Sequence, residues 1–318
     1  MLKLRYLLPG LIITLLLGCS QDTNVLRVGS NTWPGYEPFY VARELGLLNT
    51  QTIRLVELPD ATSVMDGMRQ GLLEAAALTL DETLLLASEG MPLTIVMICD
   101  ESSGADAVVA QPGVASLADL KQKRIGVETS AVGALMLEGL LHKARLDKAD
   151  IEVIPMTILQ HQQAFENNQV DALVTFEPVL GNLLKNGAVK LFDSTDIPGQ
   201  IIDVLVVRNN YLSSHEDAIQ SLVGGFHLAW QQLQGNDPAA HKAAALRLQV
   251  EPLTQAWDGM EIPGITQNIE YLQGQPAALT VSAARLRNLL QSHGLLANSA
   301  TSRQLPAVSA RFMEKISL

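Results

Sequence analysis

A chain of 318 residues, 47% of them hydrophobic, is long enough to bury two sizeable cores without disulfide stapling. Its formal net charge of −11 excludes a nucleic-acid binder and disfavours a polybasic membrane-binding patch.

Residues 1–18 carry Lys3 and Arg5 ahead of an apolar run over residues 7–17, the pattern of an export signal. The run is shorter than the roughly 18 to 20 residues of a spanning helix, which argues against an anchor helix. Gly18-Cys19 at its end resembles a bacterial lipobox, in which Cys19 becomes the lipidated first residue. An ordinary signal peptide with a coincidental cysteine is the alternative. Ser20, where an Asp would retain a lipoprotein, resembles the signal for onward transfer to an outer membrane. The expected location is the periplasmic face of the cell envelope, with lipid as the membrane contact. Residues 19–24 read as a polar tether. With Cys19 used for lipid, Cys99 stands alone in the apolar run 94–99 and reads as a small hydrophobe on a buried strand.

From residue 25 the chain repeats itself. Arg27-Val28-Gly29 opens a strand that leads through a loop into an apolar helix over residues 39–48. About 97 positions later, Arg124-Ile125-Gly126 opens another strand, loop and helix reaching Leu141. A strand at 53–58, a short helix and a strand at 75–79 are echoed by strands at 151–156 and 170–175. Two copies of such a unit exclude a solenoid and predict two similar α/β lobes facing each other across a cleft. Helix starts are predicted at Pro38, at Ser63 with Asp66, at Ser116 with Asp119 and at Thr129 or Ser130, with Gly46 and Gly71 as stops. Strands 105–110 and 203–207 read as the hinge pair that crosses between lobes. The expected organisation is 25–105 as the first part of lobe 1, 106–203 as lobe 2, and 204–318 as the return to lobe 1 with C-terminal helices. Those helices are predicted at 216–234, 239–248 (capped by Asp237-Pro238), 281–292 and 307–316, and Trp230 and Trp257 read as core.

Of 14 aromatic residues, Trp33, Tyr36, Phe39 and Tyr40 fall within eight positions in and after the first strand's loop. In open α/β sheets ligands bind beyond the carboxyl ends of the strands, which is where residues 31–37 must lie. Trp33 and Tyr36, flanking Pro34-Gly35, are placed to stack on a flat or apolar ligand, whereas Phe39 and Tyr40 read as helix packing. The other strand ends supply Thr79, Asp81, Asp106, Phe176, Glu177 and Asp203, and the second helix start supplies Glu128, Thr129 and Ser130. Thr129 and Ser130 serve equally as helix caps or, with free amides, as an anion site. With Asn31 and Glu37 these complete the candidate ligand contacts. Carboxylates are abundant at these ends and Lys and Arg are missing, so a ligand with an amine or ring N–H groups would find partners while a dianion would meet repulsion. The six histidines show no metal-ligating spacing and no nucleophile elbow or nucleotide loop occurs, so no catalytic residue, metal or cofactor is predicted.

At Trp33-Pro34-Gly35-Tyr36-Glu37-Pro38, Ala77-Leu78-Thr79-Leu80-Asp81-Glu82, Ser103-Gly104-Ala105-Asp106, Gly126-Val127-Glu128-Thr129-Ser130 and Asp171-Ala172-Leu173-Val174-Thr175-Phe176-Glu177-Pro178, the chain resembles the nitrate/sulfonate/taurine and thiamine-pyrimidine-precursor group of substrate-binding proteins of ABC importers. The resemblance covers about residues 25–233. It implies a type II-like two-lobed periplasmic-binding fold, with C-terminal helices on the first lobe, that closes on a small ligand and delivers it to a membrane permease as a monomer. In sulfonate-binding members the second-lobe helix start holds the anion, which maps onto Thr129 and Ser130. Glu128 directly beside them departs from that pattern. Yeast pyrimidine-synthesis enzymes share the fold but use a Cys-rich motif that this chain lacks, so enzyme status is not inherited. The same cleft would serve a sensory protein that signals to a membrane kinase or cyclase, and an enzyme acting on a pyrimidine-like substrate is a third class.

Overall fold

The computed structural model describes residues 25–128, 131–249, 253–299 and 301–316. Cys19, Thr129 and Ser130 lie outside the described residues. The first half runs β1 (Leu26–Ser30), α1 (Glu37–Glu44), β2 (Ile53–Glu57), α2 (Ala61–Arg69), β3 (Ala75–Thr79), α3 (Leu80–Ser88) and β4 (Leu93–Ser102). A second run follows with β5 (Asp106–Ala110), β6 (Arg124–Val127), α4 (Ala131–Ala144), β7 (Glu152–Pro155), α5 (Ile158–Glu166), β8 (Ala172–Phe176), α6 (Val179–Lys185) and β9 (Val189–Asp193). The chain then returns through β10 (Ile202–Arg208), α7 (Glu216–Gln234), α8 (Pro238–Leu248), β11 (Met260–Glu261), α9 (Ile265–Leu272), α10 (Ala278–Ser292) and β12 (Ala307–Val308).

These strands form two sheets. One has the order β11-β4-β10-β3-β1-β2 with β12 on β4, and the other the order β7-β6-β8-β5-β9. The two share a plan: the opening strand sits between the second and third of its repeat, and an antiparallel strand, β10 or β5, is inserted beside the third. β3 is buried at all five positions because helices cover both of its faces, and its three alanines let them approach.

The repeat extends to side chains. The backbone N–H of Arg27 donates to Glu74 at 2.7 Å and that of Arg124 to Asp171 at 2.9 Å, and in each pair the guanidinium returns to the same carboxylate. Gly29 and Gly126 are likewise equivalent. A Cβ on Gly29 would meet Leu73 Cδ1 at 2.4 Å, and one on Gly126 would meet Met156 Cε at 2.8 Å, so both strands need glycine where a neighbouring side chain lies across them.

Several local expectations need correction. Neither β5 nor β10 crosses between sheets; the crossings are the short segments 103–105 and 194–201. There Ser194 Oγ bonds Ser102 Oγ at 2.8 Å and accepts from the Gly104 amide at 2.6 Å. α2 begins at Ala61, not Ser63, because Asp60 is the cap and accepts from the Ser63 amide at 2.7 Å. Ser116 and Asp119 do close a capping box, but around the single turn Leu117–Leu120. The expected helix at 307–316 is instead the strand β12 followed by turns. The open side of β4 accepts Ala307 and Val308 in register with Thr94 and Ile95, and that distant partner overrides local periodicity. α9 was not anticipated. α7 and α8 pack on α1, and α10 packs on α3, so the C-terminal helices cover the first lobe. Among the described residues no helix is long and apolar enough to cross a membrane.

Candidate functional site

The carboxyl ends of β1, β3, β6 and β8 and the amino ends of β5 and β10 converge between the two sheets. They enclose a cavity of about 30 Å³ lined from the first lobe by Asn31, Trp33, Tyr36, Thr79, Glu82 and Asp203, and from the second by Asp106, Glu128, Val132, Ile158 and Phe176. Asp60, Ala61 and Ile201 complete its wall. That volume holds one or two waters, so a larger occupant requires the lobes to part or side chains to withdraw.

Trp33 is the extended residue before the turn Pro34–Tyr36, and it is 6% exposed. Its ring meets Phe176 of the opposite lobe edge-on at 5.8 Å, and its Nε1 donates to Asp100 at 3.1 Å. Behind Phe176 lies His161, whose Nδ1 bonds Thr175 Oγ1 at 3.2 Å. Burial pushes His161 down to about 4, so it is neutral at physiological pH. Gly35 has no room for a side chain: a Cβ there would lie 1.8 Å from Asp100 Oδ2. Trp257 braces the same turn by donating to the Pro34 carbonyl at 2.8 Å and meets Trp230 edge-on, so both C-terminal tryptophans pack half-buried against the core.

Thr79, Asp203 and Asp100 are side by side on β3, β10 and β4. Two carboxylates in cross-strand register repel unless a proton lies between them. Burial is the main cause that pushes Asp100 up to about 7 and holds Asp203 well above the carboxylate range, and the two side chains hydrogen-bond each other. Tyr36 donates its hydroxyl to Asp203; burial raises its own pKa well above the usual value, so it remains a donor. On the opposite sheet Asp106, in register with Phe176, is 4% exposed and burial pushes it up to about 7. Glu82 accepts from the Thr79 amide at 2.9 Å; burial and the neighbouring Asp81 push it up to about 8. Among the described residues Asp106 Oδ2, Thr79 Oγ1 and Asp81 Oδ1 are buried without a hydrogen-bond partner.

Of the candidates read from sequence, Asn31, Trp33, Tyr36, Thr79, Asp106, Glu128, Phe176 and Asp203 are brought to this cavity. Glu37 is not. It is 2% exposed under α8, where Arg247 Nε donates to it at 2.9 Å. Asp81 does not line the cavity, and burial pushes it up to about 6. Glu177 turns onto its own helix, accepting from the Gly181 amide at 3.0 Å, and lines a separate groove with Lys185 and Lys190. Sequence reasoning counted Glu82 among the strand-end carboxylates but not among the ligand contacts, and it missed Asp100, which holds Trp33 and Asp203 from behind the cavity. The first was visible as the N3 position of a capping box, while the second sits inside an apolar strand where only its cross-strand partner reveals it. No Lys or Arg is among the described residues that line the cavity, and no group of three or more His, Cys, Asp or Glu among them could hold a metal ion.

A family model described as NMT1/THI5 like matches residues 33–240. A protein of Brucella abortus (strain 2308) described as a binding protein is 31% identical over 123 residues, 37% of this chain and 39% of the relative. The match therefore spans well under half the length of that curated relative. Among solved structures, the alkanesulfonate-binding protein SsuA from Xanthomonas axonopodis pv. citri bound to MOPS is 19% identical with a TM-score of 0.71, covering 89% of this chain and 96% of that one. The desulfurization enzyme DszB is 18% identical with a TM-score of 0.62, covering 92% and 98%. At these identities the likeness is one of fold, the two-lobed α/β architecture of periplasmic binding proteins. With about two-thirds of its length matched by the family model, the chain belongs to the NMT1/THI5-like family.

Proposed function

We propose that the protein is the solute-binding component of an ABC importer, a monomer that captures a small nitrogen-containing organic ligand between its lobes and presents it to a membrane permease. The observation that carries this reading is the cavity itself, walled by both sheets and closed by the Trp33–Phe176 contact across the lobes. Residues 25–105 with 204–318 form one moving body in this reading and 106–203 the other, rotating about the crossings at 103–105 and 194–201. A binding role is favoured over catalysis by the chemistry near the cleft. Cys99, a free cysteine, is fully buried with its thiol held well above the usual range, and His161 is a neutral imidazole.

The test starts from the purified native protein, from which mass spectrometry identifies the co-purifying small molecule. Recovered and returned to stripped protein, that molecule should come back unaltered and shrink the radius of gyration in solution scattering. Turnover of the molecule, or superimposable scattering curves with and without it, would count against a lobe-closing receptor.

The lipid on Cys19 belongs to the same reading, holding the receptor at the periplasmic face of the envelope. Each buried methylene contributes about 0.8 kcal/mol, so two or three acyl chains suffice for stable attachment. Cys19→Ser should therefore move the protein from the membrane fraction to the soluble fraction after cell breakage. An unchanged distribution would remove the anchor from the proposal.

A further inference from the structure

We propose that the cleft is a receptor for an organic cation, and that it takes up the cation's charge by releasing protons from its own buried carboxyl groups. This rests on the reading of the cavity as the ligand site. The geometry is specific. Aromatic side chains from both lobes, Trp33, Tyr36 and Phe176, and carboxyl side chains from both lobes, Glu82, Asp203, Asp106 and Glu128, line one small cavity. Aromatic walls and carboxylates together are the combination that binds ammonium, amidinium and related cations. Asp106 supplies the independent sign of a ligand, because its Oδ2 is buried and unpartnered among the described residues although its residue lines the cavity.

Among the described residues, the charged groups that face Asp106, Glu82 and Asp203 are acidic. Asp106 is faced by Asp81 and Glu177, Glu82 by Asp81 and Glu128, and Asp203 by Asp100, Glu82 and Tyr36. Asp100 is faced by Trp33, Asp106, Asp203 and Glu101. Arg247 is engaged with Glu37 and Glu57 outside the cavity. Burial pushes Asp106 up to about 7 and Glu82 up to about 8, so both hold protons near neutral pH. An arriving cation stabilises the ionised forms, so those protons pass to solvent as it binds.

The direction of the pH dependence follows. The cation binds the ionised carboxylates, so affinity should rise with pH from about 6 to about 8, by about tenfold per pH unit for each proton released, and level off above that window. An anion or a neutral molecule would show the opposite slope or none.

The experiment uses the full chain and probes matched in shape but not in charge: benzamidinium, N-methylpyridinium and tetramethylammonium against benzamide and benzoate. Thermal shifts at pH 8 should be confined to the cations. Calorimetry with the best cation in phosphate and in Tris, buffers of different ionisation enthalpy, should show net proton release near pH 7. Asp106→Asn, which keeps the side chain's size, should weaken cation binding at least tenfold and reduce the release. Absence of any cation-induced shift at millimolar concentration, equal stabilisation by benzamide or benzoate, or proton uptake would overturn the proposal. Scattering separates it from the receptor reading. A neutral or anionic probe that closes the lobes would leave the receptor standing and defeat the charge assignment. A cation bound with proton release but without closure would do the reverse.

Discussion

Ligand-free protein should melt at a lower temperature at pH 8.5 than at pH 6.5, with a difference on the order of 5 °C. Asp100 and Asp106 are pushed up to about 7 and Glu82 to about 8, Glu37 also reaches about 7, and Asp203 is held well above its usual value. In the unfolded chain all of them ionise near pH 4. Between those limits the folded protein binds more protons than the unfolded one, so their contribution to stability is complete below about pH 4 and is lost as pH rises through 6 to 8. Each proton held only by the folded state corresponds to about 1.4 kcal/mol per pH unit, and several are held at pH 7. His161 and His227, both pushed down to about 4 by burial, act in the opposite sense, but their window lies between about 4 and 6.5 and leaves the alkaline limb to the carboxylates. A melting temperature that stays flat or rises between pH 6.5 and 8.5 would show that these groups are ionised in the folded state.

Arg247→Met should cost about 3 kcal/mol in urea unfolding at pH 8. Arg247 reaches from α8 to Glu37 at 2.9 Å and to Glu57 at 2.8 Å, and its guanidinium lies over the Tyr40 ring at 3.7 Å. Glu37 is 2% exposed, so removing the arginine strands a buried charge and releases α8 from α1. The loss should shrink below pH 7, because without the arginine Glu37 accepts a proton more readily and the stranded charge disappears. Glu37→Gln combined with Arg247→Met should recover much of the loss at pH 8. A deficit below about 1 kcal/mol in the single variant would class the contact with ordinary surface ion pairs.

The duplicated architecture could be read from the chain because the repeat is written in residues whose roles are local: Arg27 and Arg124, Gly29 and Gly126, each at the opening of a strand. The placement of Trp33, Asp106 and Asp203 at the cleft followed from strand ends in an open sheet. Glu37 shows where such reading stops. Its carboxylate sits at a suitable position, but its partner Arg247 lies 210 residues away, and no spacing announces the pairing. Asp100 fails for the converse reason, since inside the apolar run of β4 its meaning comes from Asp203 across the ladder. Glu177 and Asp81 stand one step back from the lining, beside Asp106, because proximity to a strand end does not say which way a side chain turns.

The insertion of β10 between β3 and β4 also fixes an order of events as the chain is made. The second sheet uses only residues 106–193 and can complete as soon as that stretch exists. The first sheet cannot, because the strand that joins β3 to β4 ends at Arg208, about two-thirds of the way along the chain. The lobe begun first is thus finished second, and until then two buried, apolar strands have no backbone partner on their facing sides. That delay leaves the first sheet incomplete until β10 has been made. It also makes any fragment ending before residue 202 an aggregation-prone one.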